Sequence, residues 1–162
     1  MFPSRDQRGF FLIEALLAIL IFSLGILGMV AINARAIQAL ADTTYRTDAA
    51  RLADEIASQI ALNVDRSSLA NLQTSLTTFS HLTNGGPACG GFSGTQSANT
   101  VVSDWLNRVT AATTGLPGAV ATGQQIVVGT GAADFNSVTV TLCWQAPSDT
   151  AARRYTLITY VN

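Results

Sequence analysis

The chain has no lysine; all nine of its basic residues are arginine. That excludes a Lys Schiff base, a Ser-Lys pair and the lysine of a phosphate-binding P-loop. Histidine occurs once, at His81, and cysteine twice, at Cys89 and Cys143. Three such residues fall short of the four ligands that a closed zinc site uses. Charged residues are only 12% of the chain and the net charge is −1, so bulk attraction to nucleic acid is not expected. An Arg153-Arg154 pair could at most hold a phosphate locally. Proline is missing between Pro3 and Pro87, which leaves room for a very long helix.

What the chain does have is an apolar excess near its N-terminus. After a short polar stretch with Arg5 and Arg8 come Phe10-Phe11-Leu12-Ile13-Glu14, then residues 15–32 without a charge. With residues 10–13 included, this run reaches roughly 34 Å as a helix, enough for a hydrocarbon core of about 30 Å. The preceding arginines predict an N-terminus that stays cytoplasmic, with the bulk of the chain across the membrane. A cleaved secretory signal would have a shorter apolar core followed by a small-x-small site. An unprocessed anchor would fit the length but not Glu14. An ionised carboxylate inside an apolar helix costs about 2.5–3.5 kcal/mol, and a mere anchor gains nothing from it. The acid calls for a cationic partner at its own depth. A free amine on Phe10, exposed by a cut after Gly9, would serve.

The segment Arg8-Gly9-Phe10-Phe11-Leu12-Ile13-Glu14 resembles the signal of type IV prepilins and pseudopilins. The resemblance implies cleavage between Gly9 and Phe10 by a prepilin peptidase and N-methylation of Phe10. It also implies that Glu14 pairs with the N-terminus of a neighbouring subunit. Phe11, where Thr is commoner, and Asp6, which dilutes the positive leader, depart from the pattern. Segments further on are similar to PilV-type minor pilins: Leu24-Gly25-Ile26-Leu27-Gly28-Met29, Ser103-Asp104-Trp105, Gly115-Leu116-Pro117-Gly118 and Thr141-Leu142-Cys143-Trp144. This implies a protein that primes pilus assembly with other minor pilins and a major pilin, on an inner-membrane assembly platform and among inner-membrane lipids. A pseudopilin of a type II secretion system shares the N-terminus. A membrane-anchored periplasmic binding module that never polymerises is a further alternative, as is a DNA-uptake pilin.

The apolar period continues at Ile37, Ala41, Tyr45, Ala49, Leu52, Ile56 and Ile60, one face of an amphipathic helix. A single helix over about residues 10–64 is therefore predicted, with Gly25 and Gly28 as its weak points. Asp42 with Arg46, and Arg51 with Glu55, have the spacing of surface pairs. Residues 66–83 read as a short helix or an irregular crossing. Residues 84–94 carry five glycines and form a loop. There Gly91-Phe92-Ser93-Gly94 misses the nucleophile-elbow spacing by one residue. A helix over 100–113 is expected, capped by Thr100, with Val102, Trp105, Leu106 and Val109 on one face. Three strands follow: 126–128, an alternation from Val138 to Trp144, and another from Tyr155 to Val161.

The expected fold class is thus α+β and pilin-like: a leader (1–9), a transmembrane and assembly half-helix (10–32), and a periplasmic head (33–162) with a small antiparallel sheet. An even cysteine count beside an export-type N-terminus predicts one Cys89–Cys143 disulfide in an oxidising compartment. No catalytic constellation is visible. His81 reads as a structural residue, Asp134 and Asp149 sit in separate loops without an evident partner, and neither cofactor nor metal is called for.

Overall fold

The computed structural model describes residues 8–86, 88–147 and 149–162, with side chains from residue 11 onward; the first seven residues of the expected leader (1–9) and the side chains of Arg8 and Phe10 lie outside these described residues. The helix α1 runs Arg8–Asn63 without a break. Then come α2 (Leu69–Thr77), α3 (Thr100–Val109), a 3-10 turn (Ala121–Gly123) and three strands, β1 (Gln125–Gly129), β2 (Ser137–Trp144) and β3 (Arg153–Tyr160). The expected pilin-like layout, a long N-terminal helix followed by a small antiparallel sheet, is the one observed. The chain divides into two compact units, Met1–Asp42 and Thr43–Asn162.

In the first unit every side chain from residue 11 to residue 40 is exposed, apolar or not. This stretch is long and apolar enough to cross a membrane, and none of it is buried within the chain. Ile37, expected on the buried face, is 67% exposed. The apolar stripe meets the head's core from Tyr45, which is partly buried against it, and is fully buried from Ala49 onward, so periodicity alone placed its start too early.

The second unit has its own core. Ala49, Leu52, Ala53, Ile56 and Ile60 form a stripe on α1 spaced by three and four residues, and all are at most 2% exposed. They cluster with Val102, Trp105 and Val109 of α3, Leu72 and Leu76 of α2, and Val138, Val140, Leu142 and Trp144 of β2. Burying each of the Leu, Ile and Val side chains among them stabilises the fold by about 1.5–3 kcal/mol.

The sheet order is β1-β2-β3, antiparallel throughout, with Ile126 opposite Val140 and Val140 opposite Leu157. β2 is central, and its inward residues Val138, Val140 and Leu142 are fully buried. β3 alternates between half-buried and exposed along its whole length. A β1–β2 connection tied to α2 closes that end. The Gln73 amide donates to Thr130 O (3.0 Å) and Asn136 Oδ1 (3.2 Å). Phe135 and Asn136 there adopt positive φ, 52° and 53°.

Two helix boundaries differ from expectation. Asn99, not Thr100, caps α3: its Oδ1 accepts from Val101 N at 3.0 Å, which makes Thr100 the first helical residue. The helix also stops at Val109, four residues early. Leu116 N returns to donate to Val109 O at 2.9 Å, and Gly115 packs so closely there that a Cβ would lie 2.4 Å from that oxygen.

Candidate functional site

Two groups of residues stood out in the sequence, and they belong to different compact units. Glu14 lies on the exposed apolar stretch of α1 and makes no ion pair among the described residues. Gly9 and Phe10 lie in the first turn of the same helix. Helical spacing puts the Phe10 backbone one turn from Glu14. Among the described residues around it there is no second acid: the next one along α1 is Asp42. What α1 presents here is one carboxylate on a stretch, residues 9–34, that carries no other charge.

In the head, Cys89 and Cys143 are joined by a disulfide across 54 residues of sequence, tying the glycine-rich loop to the central strand. The loop is fixed at several further points. Asn84 and Ser93 exchange backbone hydrogen bonds at 2.9 and 2.8 Å. Gly85 sits at φ 123° with Gly91 O where a Cβ would be, 2.4 Å away. Only glycine fits there. Beside the disulfide is a half-open hollow of about 340 Å³, lined among others by Phe92, Val120, Cys143 and Trp144. Among the described residues no acid, base or histidine lines it.

His81 is buried, at 2% exposure. Its Nδ1 accepts from Ser97 N at 3.2 Å, and its Nε2 faces Ala121 O at 3.3 Å. A neutral ring protonated on Nε2 satisfies both. Burial holds its pKa below the usual histidine value, partly offset by the Ala121 carbonyl. His81 also exchanges backbone hydrogen bonds with Ile126 at 2.9 and 3.0 Å, so the residue closes the outer edge of β1. Its position is that of a core residue.

Trp105, fully buried, donates from Nε1 to Leu52 O at 2.9 Å and so fastens α3 to α1. Glu55 accepts from Arg108 of α3 at 2.8 Å and from Arg51 at 3.5 Å, the latter being the expected spacing pair. Asp149, expected to lack a partner, has one: Arg153 grips its carboxylate at 2.8 and 3.1 Å. That hydrogen bond holds the Asp149 carboxyl below its ordinary range. Asp134 is also engaged, accepting from Gly131 N at 3.2 Å.

Sequence reasoning missed Gln124 and Gln125, which are 0% and 7% exposed. The Gln124 side chain donates to Cys143 O at 2.9 Å and accepts from Cys143 N at 3.1 Å, acting as a strand beside the disulfide, and also donates to Val120 O at 3.0 Å. Gln125 donates to Leu82 O at 2.8 Å. Nothing local in the sequence marks them, because their partners lie far along the chain. Among the described residues no three His, Cys, Asp or Glu side chains converge on a possible metal position. The chain matches no protein-family model, no curated protein and no solved structure.

Proposed function

We propose that the chain is a minor type IV pilin, made as a prepilin, which helps to start pilus assembly with other minor pilins at the inner membrane. One observation carries this reading. Glu14 is the lone charge between residues 9 and 34, on an apolar stretch of α1 that the described residues leave uncovered, and it stands five residues after Gly9. A bare anchor has no use for that carboxylate. A fibre built from bundled helices does, because cleavage after Gly9 gives each chain a Phe10 amine at the depth where a neighbour's Glu14 sits. The amine neutralises the acid and sets the axial register of adjacent helices. The head stays outside the bundle, in the periplasm and later on the fibre or its tip. Prepilin peptidase, the major pilin and the assembly platform are the partners this implies, and no enzymatic role is assigned.

Intact mass of membrane-extracted protein tests the first step. It is expected to show loss of residues 1–9, one added methyl on Phe10 and two fewer hydrogens for the disulfide. A retained leader would end the proposal. For the second step, Glu14→Val removes both the desolvation cost and the register. It should insert at least as well as the parent yet fail to join complexes with partner pilins. Normal complex levels would show that Glu14 is not the register element.

A further inference from the structure

Among the described residues, the buried apolar side chains of the head fall into two clusters rather than one. The large cluster joins α1, α2, α3 and the sheet. The small one holds Leu82, Phe92 and Cys143, with Cys89 partly buried against it. The disulfide is therefore the centre of a minor core that stands apart from the main one.

The chain on either side of the glycine-rich loop is fastened to the body. His81 and Ile126 exchange backbone hydrogen bonds at 2.9 and 3.0 Å, and Gln125 donates to Leu82 O at 2.8 Å. On the far side the Ser97 hydroxyl donates to Thr78 O at 2.9 Å. Between these points the loop has a neck, where Leu82 N donates to Thr95 O at 3.0 Å and Asn84 pairs with Ser93. Residues 85–92 form its tip, and Cys89 and Phe92 are the tip's members of the small cluster. The other sulfur is held independently of the loop. Cys143 stands opposite Arg154 in the β2–β3 ladder, and its backbone is bonded by the Gln124 side chain. Breaking the S–S bond thus leaves the strand in place and frees the tip.

The tip also roofs part of the sheet. Gly85, Gly86 and Phe92 line a hollow of about 350 Å³ together with Gln125, Thr139 and Thr141. These threonines alternate with the inward Val138, Val140 and Leu142, so the hollow lies on the outer face of the sheet. Gln125 and Thr141 stand opposite each other across β1 and β2 and are 7% and 5% exposed, a deep burial for polar side chains.

We propose that the Cys89–Cys143 bond is a redox latch: a dithiol opens it, and the tip of the glycine-rich loop then leaves the outer face of the sheet while the main core stays folded. Cys89 is the sulfur under attack. It is partly exposed and lines the half-open hollow of about 340 Å³, whereas Cys143 is 5% exposed. A thiolate of the dithiol bonds to Cys89 Sγ, and the S–S bond breaks with its electron pair on Cys143, which takes up a proton. The second thiol of the reductant gives up its proton and attacks its own partner sulfur, and Cys89 departs as a thiolate and is protonated. Two electrons and two protons have then passed to the protein, and the reductant leaves as a disulfide. The lost loop entropy falls short of the ordinary stability of a domain, so the main cluster persists. The opened head presents Leu82 and Phe92 beside Gln125 and Thr141, a surface absent from the oxidised form. The latch does not depend on the pilin reading, since it uses only the head.

The test uses the full-length chain in detergent micelles, with dithiothreitol as the dithiol at mildly alkaline pH and no denaturant. Titratable thiol is expected to rise to two per chain, at a rate proportional to dithiol concentration. Reduction that sets in only with added denaturant would overturn the proposal, since attack would then wait for global unfolding. Hydrogen exchange reads where the reduced head opens. The Asn84 and Ser93 amides should exchange at least about tenfold faster than in the oxidised chain, while those of Ile56 and Val140 keep their protection. Unchanged exchange at Asn84 and Ser93, or lost protection at Ile56 and Val140 as well, would equally overturn it. The double variant Cys89→Ser, Cys143→Ser repeats the measurement without a reductant. It should show the same local pattern, and loop amides as slow as those of the oxidised parent would count against the latch.

Discussion

The two tryptophans separate the effect of a made hydrogen bond from that of a missing one. Trp105 Nε1 reaches Leu52 O, whereas Trp144 Nε1 is buried with no partner among the described residues. Both side chains are at most 1% exposed, so replacement by Phe removes similar packing from each. Trp105→Phe also loses a bond, while Trp144→Phe discards a desolvated donor. The first should therefore cost more than the second by about 1–3 kcal/mol in chemical denaturation, and equal losses would contradict this reading. His81 gives a pH dependence of definite sign. Its pKa lies below the ordinary value of 6.5, so the unfolded chain binds the proton more readily than the fold does. Its contribution is complete above that ordinary value and is lost as pH falls below it. Protonating Nδ1 also removes the acceptor for Ser97 N–H. Thermal stability should fall between pH 7.5 and 5.5, and His81→Gln should flatten that slope. Asp149 does not interfere in this window, because a lowered carboxyl pKa acts only at lower pH. Trp105 was legible as a core anchor from its place on the face of α3, and His81 as a structural residue from its setting. The bonds that make each indispensable were not, since Leu52 and Ala121 are distant in sequence.

Among the elements, the long helix was readable almost to the residue, because nothing in it breaks the pattern and its stripe has helical spacing. The start of the buried stripe was misjudged at Ile37, since periodicity says that a face is apolar but not what covers it. The strands were legible from their alternation, and β3 keeps that alternation strictly. The cap of α3 was missed by one residue because both Asn99 and Thr100 can cap, and only geometry chooses between them. The β1–β2 connection carries a feature that alternation cannot reveal. Asn136 is left-handed and bonded to Gln73 and to Val161 N. Asn136→Ala should cost on the order of 1–3 kcal/mol through backbone strain, and Asn136→Gly less, by thermal melting. The cysteine pair was anticipated from count and context alone. On the loop-entropy account, Cys89→Ser with Cys143→Ser should destabilise the head by on the order of 4 kcal/mol, measured by denaturant titration.

For the molecule as a whole, the division at residue 42 separates a stretch with no core from a unit with a complete one. Residues 43–162 produced alone in an oxidising compartment should be water-soluble and free of titratable thiol. The full chain should need detergent. Aggregation of the excised head would show that its core is incomplete without the rest of the helix. The crosslink has a further consequence for how the protein breaks. Cys89 and Cys143 bracket α3, the 3-10 turn, β1 and the exposed Phe135 at the β1–β2 connection. A protease that nicks that connection leaves two fragments fastened through sulfur. On a denaturing gel the nicked protein should migrate as one band until a reductant is added, and then fall into two.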